Sequence, residues 1–125
     1  MKLEHIALTV KIREEINDFY CKILEMNRVR DFVLKRDVAF DLFGRDEQIE
    51  VAFLEKDGIS MEIFVTETQA GSRVEHLCIA VTDREQLTRS AREMGYGVIR
   101  IKRPEFDLLF LKDKSGNLFE LRNTR

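Results

Sequence analysis

The chain has 125 residues, enough to bury a substantial core in one domain but too few for two large independent ones. Hydrophobic residues make up 44% and charged residues 35%, a globular composition that argues against disorder. The 21 Lys and Arg residues nearly balance 23 Asp and Glu, so the net charge of -2 predicts no nucleic-acid or membrane-surface partner.

The cysteines and the start of the chain bear on localisation. Cys21 and Cys78 are the two cysteines, and they lie far apart without metal-finger spacing. No basic-then-apolar leader follows Met1, and no apolar run approaches the length of a membrane span. We therefore expect a cytoplasmic protein without a membrane segment.

One strand pattern occurs twice in the chain. Residues 3–10 read Leu-Glu-His-Ile-Ala-Leu-Thr-Val, and residues 74–81 read Val-Glu-His-Leu-Cys-Ile-Ala-Val. Period-two alternation places a histidine and two small residues on one face of each strand and three aliphatic residues on the other. The aliphatic face predicts a packed layer, and the histidine face is where we expect chemistry.

The elements after the first of these strands form one module. A helix is predicted where apolar residues recur at helical spacing, namely at Ile12, Ile16, Phe19, Tyr20, Ile23 and Leu24. Strands are predicted at residues 38–43, 48–54 and 59–66, with a hairpin turn at Lys56-Asp57-Gly58. Gln69-Ala70-Gly71-Ser72 is the expected linker.

The second half repeats this order. Thr82-Asp83-Arg84-Glu85 reads as a capping box, and Leu87, Ala91 and Met94 follow on one helical stripe. Strands are predicted at residues 98–102, 106–112 and 117–122, with breaks at Pro104 and at residues 113–116. The predicted fold is α+β: one domain, residues 1–125, made of two βαβββ modules at residues 1–68 and 72–125. If their second faces curl together, they form a cupped mixed sheet around a cavity.

Four polar residues would meet inside that cavity. His5 and His76 head the first strands, and parity places Glu62 and Glu120 on the same faces of the last strands. A carboxylate within an apolar strand is costly unless it is paired, and a divalent cation is one way to pair it. Two imidazoles and two carboxylates suit Zn, Ni, Mn, Co or Fe better than Ca or a soft metal.

Other interpretations of these residues stay open. A lone strand histidine is usually structural, Glu62 alone fits an exposed edge residue, and Glu120 has Arg122 or Arg73 as alternative partners. Repetition of the histidine and glutamate pair favours ligation by the set of four, His5, Glu62, His76 and Glu120.

The candidate substrate-contacting residues are Thr9, Phe64, Cys78 and Arg122. Cys78 fits a small apolar wall better than a soft ligand or nucleophile. Arg122 could bind an anionic group, although a strand-end arginine is more often a solvated cap. Cys21 on the first helix is expected to serve packing.

The sequence resembles the vicinal oxygen chelate superfamily, which includes glyoxalase I, bleomycin-resistance proteins, fosfomycin-resistance thiol transferases, methylmalonyl-CoA epimerase and extradiol dioxygenases. The resemblance covers essentially the whole chain. It rests on the two histidine strands, on Ile-Asn-Asp-Phe-Tyr-Cys-Lys-Ile-Leu-Glu-Met in the first helix, and on Asp-Lys-Ser-Gly-Asn-Leu-Phe-Glu-Leu at residues 113–121.

The resemblance implies a metal-dependent lyase or isomerase that is most similar to bacterial glyoxalase I, with His5, Glu62, His76 and Glu120 as the ligands. It implies that a divalent metal holds a small oxygenated substrate, such as a thiol adduct, while a ligand glutamate moves a proton between carbons. Glu120 would be the leading base, with Glu62 as its counterpart. A homodimer whose paired modules come from different subunits is also implied.

Three departures from the family pattern affect these expectations. Residues 113–116 lack the proline of the common Asp-Pro-x-Gly turn, Thr9 stands where many glyoxalases have a glutathione-binding arginine, and the loops are short. The alternative functions are a non-catalytic binding protein of the bleomycin-resistance kind, a ring-cleaving dioxygenase and an epimerase. Epimerases typically have glutamine at the position of Glu62, and pure binders commonly lack the complete ligand set.

Overall fold

A computed structural model describes residues 4–68 and 76–124. The chain divides into two units, residues 1–73 and 74–125, which are described separately below. Several residues of the sequence argument, namely Met1, Leu3, the linker at residues 69–72, Arg73, Val74 and Glu75, lie outside the described ranges.

Unit 1 is a four-stranded sheet with two short helices. Its elements are β1 (Ile6–Val10), a π-helix (Ile16–Cys21), β2 (Asn27–Leu34), α1 (Arg36–Phe43), β3 (Ile49–Lys56) and β4 (Ile59–Val65). The strand order is β1-β4-β3-β2. β1 and β4 run parallel, whereas β4 and β3, and β3 and β2, are antiparallel.

Unit 2 has the same sheet with one helix. Its elements are β5 (Leu77–Val81), α2 (Arg84–Glu93), β6 (Gly97–Ile101), β7 (Leu108–Lys112) and β8 (Leu118–Asn123). The order is β5-β8-β7-β6, with β5 parallel to β8 and the other two pairings antiparallel. The predicted α+β class, with two βαβββ modules and two mixed sheets, is therefore confirmed. Closure of the sheets around a common cavity stays a prediction.

Burial along the two histidine strands follows the predicted parity. In β1, Leu8 and Val10 are buried while Ala7 is exposed. In β5, Cys78 and Ala80 are exposed, and the alternating Leu77, Ile79 and Val81 are half-buried. The aliphatic face of β1 therefore reaches the core, and that of β5 is more buried than its histidine face.

The first helix of unit 1 is wider than an α-helix. Its backbone hydrogen bonds join an N–H to the carbonyl five residues earlier, as from Lys22 to Asn17 at 2.9 Å and from Leu24 to Phe19 at 3.0 Å. Phe19 and Tyr20 are fully buried, as predicted, and their rings meet edge to face. Ile12 precedes the helix and is 51% exposed, so the predicted apolar stripe begins one turn later.

The strand predicted at residues 38–43 is wrong, because these residues belong to α1. A short apolar run, here interrupted only by Asp41, cannot be assigned to strand or helix by periodicity alone. Gly44 favours the helix, because it ends α1 as its C-cap residue in the left-handed conformation, with φ 67. Its N–H donates a hydrogen bond to the Phe40 carbonyl at 2.9 Å. The helix rests on the sheet through Ala39, which packs with Ile49, Val51 and Phe64.

The missed strand is β2, which lies at the sheet edge beside β3. Its residues are mostly exposed on both faces, and it contains Asn27, Arg28, Arg30 and Asp31. An edge strand with little burial does not need the apolar alternation that reveals a half-buried strand. Its pairing with β3 is a tertiary contact that the local sequence does not encode.

The cap of α2 differs from the predicted box by one residue. Asp83 is the N-cap, and its Oδ1 accepts a hydrogen bond from Gln86 N–H at 3.0 Å. Thr88 and Ala91 form the buried face of the helix, whereas Met94 is 37% exposed rather than packed. The helix begins where predicted, but a different side chain caps it.

The turn between β7 and β8 shows how the chain manages without the family proline. Asp113 is buried, and its Oδ1 accepts hydrogen bonds from Ser115 N–H at 3.0 Å and Asn117 N–H at 2.7 Å. Gly116 adopts φ 94, which favours glycine. The carboxylate therefore holds a turn that a proline would otherwise restrict.

An ion-pair network joins α2 to the β6–β7 hairpin. Arg100 donates to Glu85 Oε2 at 2.6 Å and to Asp107 Oδ2 at 2.9 Å. These hydrogen bonds are the main reason that the pKa values of both carboxyl groups lie below their ordinary range. The network thus links three segments of unit 2 through one guanidinium.

The cysteines are not joined in a disulfide, and the described helices do not resemble membrane spans. Cys21 and Cys78 are both free thiols, and partial burial raises the pKa of Cys21, which suits a packing role. Within residues 4–68 and 76–124, every helix is too short or too polar to cross a bilayer.

We predict that the cap residue of α2 can be identified by mutation. Asp83→Ala should lower the free energy of unfolding by about 1 kcal/mol, because Gln86 N–H loses its acceptor. Thr82→Ala is the matched control and should change it by less than about 0.5 kcal/mol. Urea denaturation followed by circular dichroism measures both. Equal losses, or a larger loss for Thr82→Ala, would restore the predicted capping box.

A second prediction concerns acid stability. Carboxyl groups with lowered pKa stabilise the fold above their unfolded-state values of about 4, and that contribution is lost as pH falls through the lower folded-state values. Arg100→Gln should therefore lower the free energy of unfolding at pH 7. It should also make that free energy decrease less between pH 5 and pH 3 than it does in the wild type. Arg13→Gln, which removes the guanidinium that pairs with the exposed Glu50 in unit 1, is the control. Chemical denaturation at several pH values tests this, and an unchanged pH dependence in Arg100→Gln would contradict it.

Candidate functional site

Unit 1 brings His5 and Glu62 together through parallel strand pairing. His5 directly precedes β1, and Glu62 lies in the middle of β4, where it is the register partner of Ala7. His5 Nε2 lies 3.7 Å from Glu62 Oε2. The imidazole is 44% exposed and the carboxylate 18%, so both polar groups face an accessible space above the sheet.

Unit 2 repeats this arrangement with His76 and Glu120. His76 directly precedes β5, and Glu120 in β8 is the register partner of Cys78. His76 Nε2 lies 3.6 Å from Glu120 Oε2, with side-chain exposures of 46% and 13%. The repeated sequence pattern therefore corresponds to a repeated half-site, meaning one histidine and one glutamate on the same sheet face.

The donor atoms of each half-site suit a shared cation. The separations of 3.6 and 3.7 Å exceed ordinary hydrogen-bond lengths. Nitrogen and oxygen ligands that lie about 2.1 Å from one ion are roughly 3.0–3.5 Å apart at tetrahedral or octahedral angles. A small side-chain movement would therefore bring each pair onto a single divalent ion, and the mixed nitrogen and oxygen set suits a borderline transition metal.

A phenylalanine lies beside each half-site, and the sequence argument missed both. Phe53 is the register partner of Glu62, and its ring meets the His5 ring edge to face at 6.3 Å. Phe110 is the partner of Glu120, and its ring meets the His76 ring at 6.0 Å. The signal was available for Phe53, because the Asp57-Gly58 turn fixes which β3 residue lies opposite Glu62. Aromatic contact restricts the orientation of each imidazole.

Arg122 distinguishes the second half-site from the first. Its Nη2 and Nε lie 3.3 and 3.4 Å from Glu120 Oε1, while Oε2 is the oxygen nearer His76. The alternative pairing of Glu120 with Arg122 is therefore present in the structure alongside the histidine contact. The matching position in unit 1 is Phe64, which is two residues beyond Glu62 and carries no charge.

The other predicted contact residues fall into two groups. Cys78 is exposed next to Glu120 in the β5–β8 register, and Thr9 is half-buried opposite Phe64 in the β1–β4 register. Phe64 is only 7% exposed, because it packs against Ala39 of α1 and meets the Phe43 ring at 5.5 Å. Little of its ring is left for a ligand, and the substrate-contacting role assigned to it stays a prediction.

Each unit supplies two donors to its half-site. Across the two described ranges, no group of three or more His, Cys, Asp or Glu side chains is arranged to hold a metal ion. Convergence of the four predicted ligands on one ion therefore requires the two half-sites to combine. That step, within one chain or between two, stays a prediction.

Two βαβββ units, each with a histidine just before its first strand and a glutamate on its last strand, are the pattern of the vicinal oxygen chelate class of proteins. The chain belongs to the Glyoxalase/Bleomycin resistance protein/Dioxygenase superfamily, whose family model matches residues 2–121. No curated protein matches the chain in sequence.

Solved structures with the same fold include several proteins of this superfamily. A glyoxalase family protein from Enterococcus faecalis is 18% identical, with a TM-score of 0.70 and coverage of 96% of this chain and 95% of that chain. A mutant of the fosfomycin resistance protein FosX from Listeria monocytogenes, complexed with Mn(II) and 1S,2S-dihydroxypropylphosphonic acid, is 16% identical, with a TM-score of 0.76 and coverage of 99% and 93%. FosX from Mesorhizobium loti is 14% identical, with a TM-score of 0.70 and coverage of 99% and 92%. At these identities the similarity establishes the fold alone.

Proposed function

We propose that this protein is a metal-dependent enzyme of the glyoxalase type, in which His5, Glu62, His76 and Glu120 hold one divalent ion. The observation that carries the proposal is the repeated half-site: each unit sets its histidine 3.6 or 3.7 Å from its glutamate over a phenylalanine ring. Ordinary core packing gives no reason for the same pair of polar groups to recur on equivalent strands. Superfamily members that bind divalent metals, such as FosX with Mn(II), add support.

The proposed chemistry is proton transfer on a small oxygenated substrate. When bound, a divalent ion polarises substrate oxygens and stabilises the negative charge that develops as a carbon loses its proton. We assign Glu120 as the general base that removes this proton and returns it to the neighbouring carbon. Glu62 is its counterpart from the other half-site.

The structure around Glu120 suits a positioned carboxylate. Arg122 engages Oε1, which leaves Oε2 as the oxygen on the His76 side. A base that is held in one orientation needs less reorganisation when it accepts a proton. Arg122 is therefore proposed as a positioning residue for Glu120. Because its guanidinium pairs with Glu120, it is less available to contact the substrate than the sequence alone predicts.

A thiol adduct of an oxoaldehyde is the first substrate class to test, because glyoxalase-type chemistry moves a proton between its two oxygenated carbons. Thr9, which replaces the arginine of many glyoxalases, favours a smaller adduct than that of glutathione. The competing function is a binding protein that uses the same cavity without turnover.

We predict that all four ligands contribute to one binding event. Titration of the purified protein with Mn(II) or Ni(II) should give one ion per set of four ligands. His5→Ala, Glu62→Gln, His76→Ala and Glu120→Gln should each weaken binding at least about tenfold. Glu50→Gln is the control, because this exposed carboxylate on β3 pairs with Arg13 rather than with a histidine. Isothermal titration calorimetry and elemental analysis measure these effects. A wild-type protein without divalent-metal affinity, or four variants that bind like Glu50→Gln, would contradict the proposal.

A further prediction separates catalysis from binding. Metal-loaded wild-type protein should isomerise the hemithioacetal of an oxoaldehyde with a small thiol or glutathione, detected as the thioester product by absorbance. At saturating metal, Glu120→Gln should reduce kcat by about 100-fold or more, because the general base is lost. Arg122→Gln should reduce kcat less. Full activity in Glu120→Gln would move the base role to Glu62, and tight substrate binding with no turnover in the wild type would favour the binding function.

We also propose a homodimer in which each metal site takes one half-site from each subunit. Mixing inactive His5→Ala and His76→Ala proteins tests this directly. In a mixed dimer, one composite site would lack both histidines and the other would be intact. Random exchange should therefore restore about a quarter of wild-type metal sites and activity. A site within one chain would give no recovery, and light scattering that shows a monomer would also refute the shared version.

A further inference from the structure

β2 contains an irregularity next to the half-site of unit 1. Arg28 pairs with Leu54 of β3, whereas Arg30 pairs with Phe53, so the register shifts between these two arginines. A bulge of this kind places an extra residue in one strand and redirects the side chains that follow it. Here the extra residue is Val29.

The bulge sends the two arginines in different directions. Arg28 Nη1 donates to Asn17 Oδ1 of the π-helix at 3.2 Å, and its Nε donates to Asp31 at 2.8 Å. Arg30 instead stacks over the Phe53 ring, with its guanidinium carbon 4.4 Å from the ring centroid. The same Phe53 ring contacts His5. Arg30 is therefore on the half-site face, and Arg28 is on the opposite face, beside the π-helix.

Arg30 is held in position by aromatic rings, and its charge is not balanced by a carboxylate in the described part of the chain. Its contacts within the described ranges are with the rings of Phe53 and Phe32, and no carboxylate there forms an ion pair with it. Stacking on an aromatic face leaves the edge of a guanidinium free to donate paired hydrogen bonds. By contrast, Arg122 already pairs with Glu120 and Arg28 already pairs with Asp31.

Unit 2 has no cation at the matching position. Arg30 lies opposite Phe53, and the residue opposite Phe110 is Ile99, which is exposed. The row Ala7, Glu62, Phe53 and Arg30 in unit 1 thus corresponds to Cys78, Glu120, Phe110 and Ile99 in unit 2. At this register position unit 1 has a positive charge and unit 2 an apolar side chain, so the two half-sites differ in their ability to bind an anion.

We propose that Arg30 recognises an anionic oxygen group of the substrate, a carboxylate or a phosphoryl group, across the Phe53 ring from His5 and Glu62. This inference rests on the proposed function for the position of the substrate's other end. The substrate then carries its chelating oxygens near the histidine and glutamate and its negative charge a few bonds away. Arg30 thereby determines which substrates bind well, because its planar guanidinium can donate two parallel hydrogen bonds to the paired oxygens of either group.

Three hydroxamates that share one chelating group test the inference. Acetohydroxamate carries no further charge, the monohydroxamate of succinic acid adds a carboxylate, and phosphoglycolohydroxamate adds a phosphate. Each is titrated calorimetrically into Mn(II)-loaded wild-type protein, Arg30→Gln, Arg30→Lys and Arg28→Gln. Arg28→Gln is the matched control, since it removes the same charge from the same strand on the opposite face. The affinity for Mn(II) and circular dichroism check the site and the fold.

Arg30→Gln should weaken at least one anionic hydroxamate by about 10- to 100-fold and change acetohydroxamate by less than about twofold. The affinity of Arg30→Lys for the anionic hydroxamates should lie between those of the wild type and Arg30→Gln, because lysine keeps the charge but loses the paired donors. The two anionic probes identify whether a carboxylate or a phosphate is preferred. Equal effects of Arg30→Gln on all three probes, or the same selective loss in Arg28→Gln, would overturn the inference while the metal site stands.

A second assay separates failure of the proposed function from failure of this inference. Inorganic phosphate and succinate are titrated into metal-free protein and followed by NMR. If the wild type binds no Mn(II), the proposed function fails, yet an anion-induced shift at Phe53 that disappears in Arg30→Gln and persists in Arg28→Gln would still support the anion site. Absence of any Arg30-dependent shift in such a protein would overturn both proposals.

Discussion

Parallel pairing of the first and last strands of each unit is the constraint on which the rest of the structure depends. Because β1 runs beside β4 and β5 beside β8, residues 55 positions apart in unit 1 and 42 positions apart in unit 2 become neighbours in one register. A shift by one residue would turn Glu62 and Glu120 to the opposite, buried faces of their sheets. The aliphatic faces prevent that shift, since Met61, Ile63, Phe119 and Leu121 would then lose their burial. Core packing thereby determines where the polar groups point.

The two units share a scaffold but differ in the residues around the half-site. Unit 1 has Arg30 at the sheet edge and α1 covering Phe64, whereas unit 2 has Ile99 and Arg122 at the matching positions. Each unit could thus keep its histidine and glutamate while its surroundings specialised.

Success and failure of the sequence predictions follow the degree of burial. β1, β3, β4 and the strands of unit 2 were predicted to within a few residues, because one buried face imposes alternation on them. β2 was missed because its edge position leaves most of its residues exposed, and the apolar run of α1 was assigned to a strand. The phenylalanines of the half-sites and the re-aimed Arg30 were missed as well. Their importance depends on cross-strand register and on a bulge, neither of which alters local composition.

The sequence by itself determined the duplication, the two module patterns and the identity of the histidines and glutamates, since alternation and repetition are local properties of the chain. Tertiary structure decided which side chains meet: His5 with Glu62, His76 with Glu120, each imidazole with its phenylalanine, and Arg122 with Glu120. These contacts join residues from different strands, and only the pairing of those strands sets the distances between them. The division has one physical reason: burial leaves a periodic trace in sequence, whereas proximity across a sheet does not.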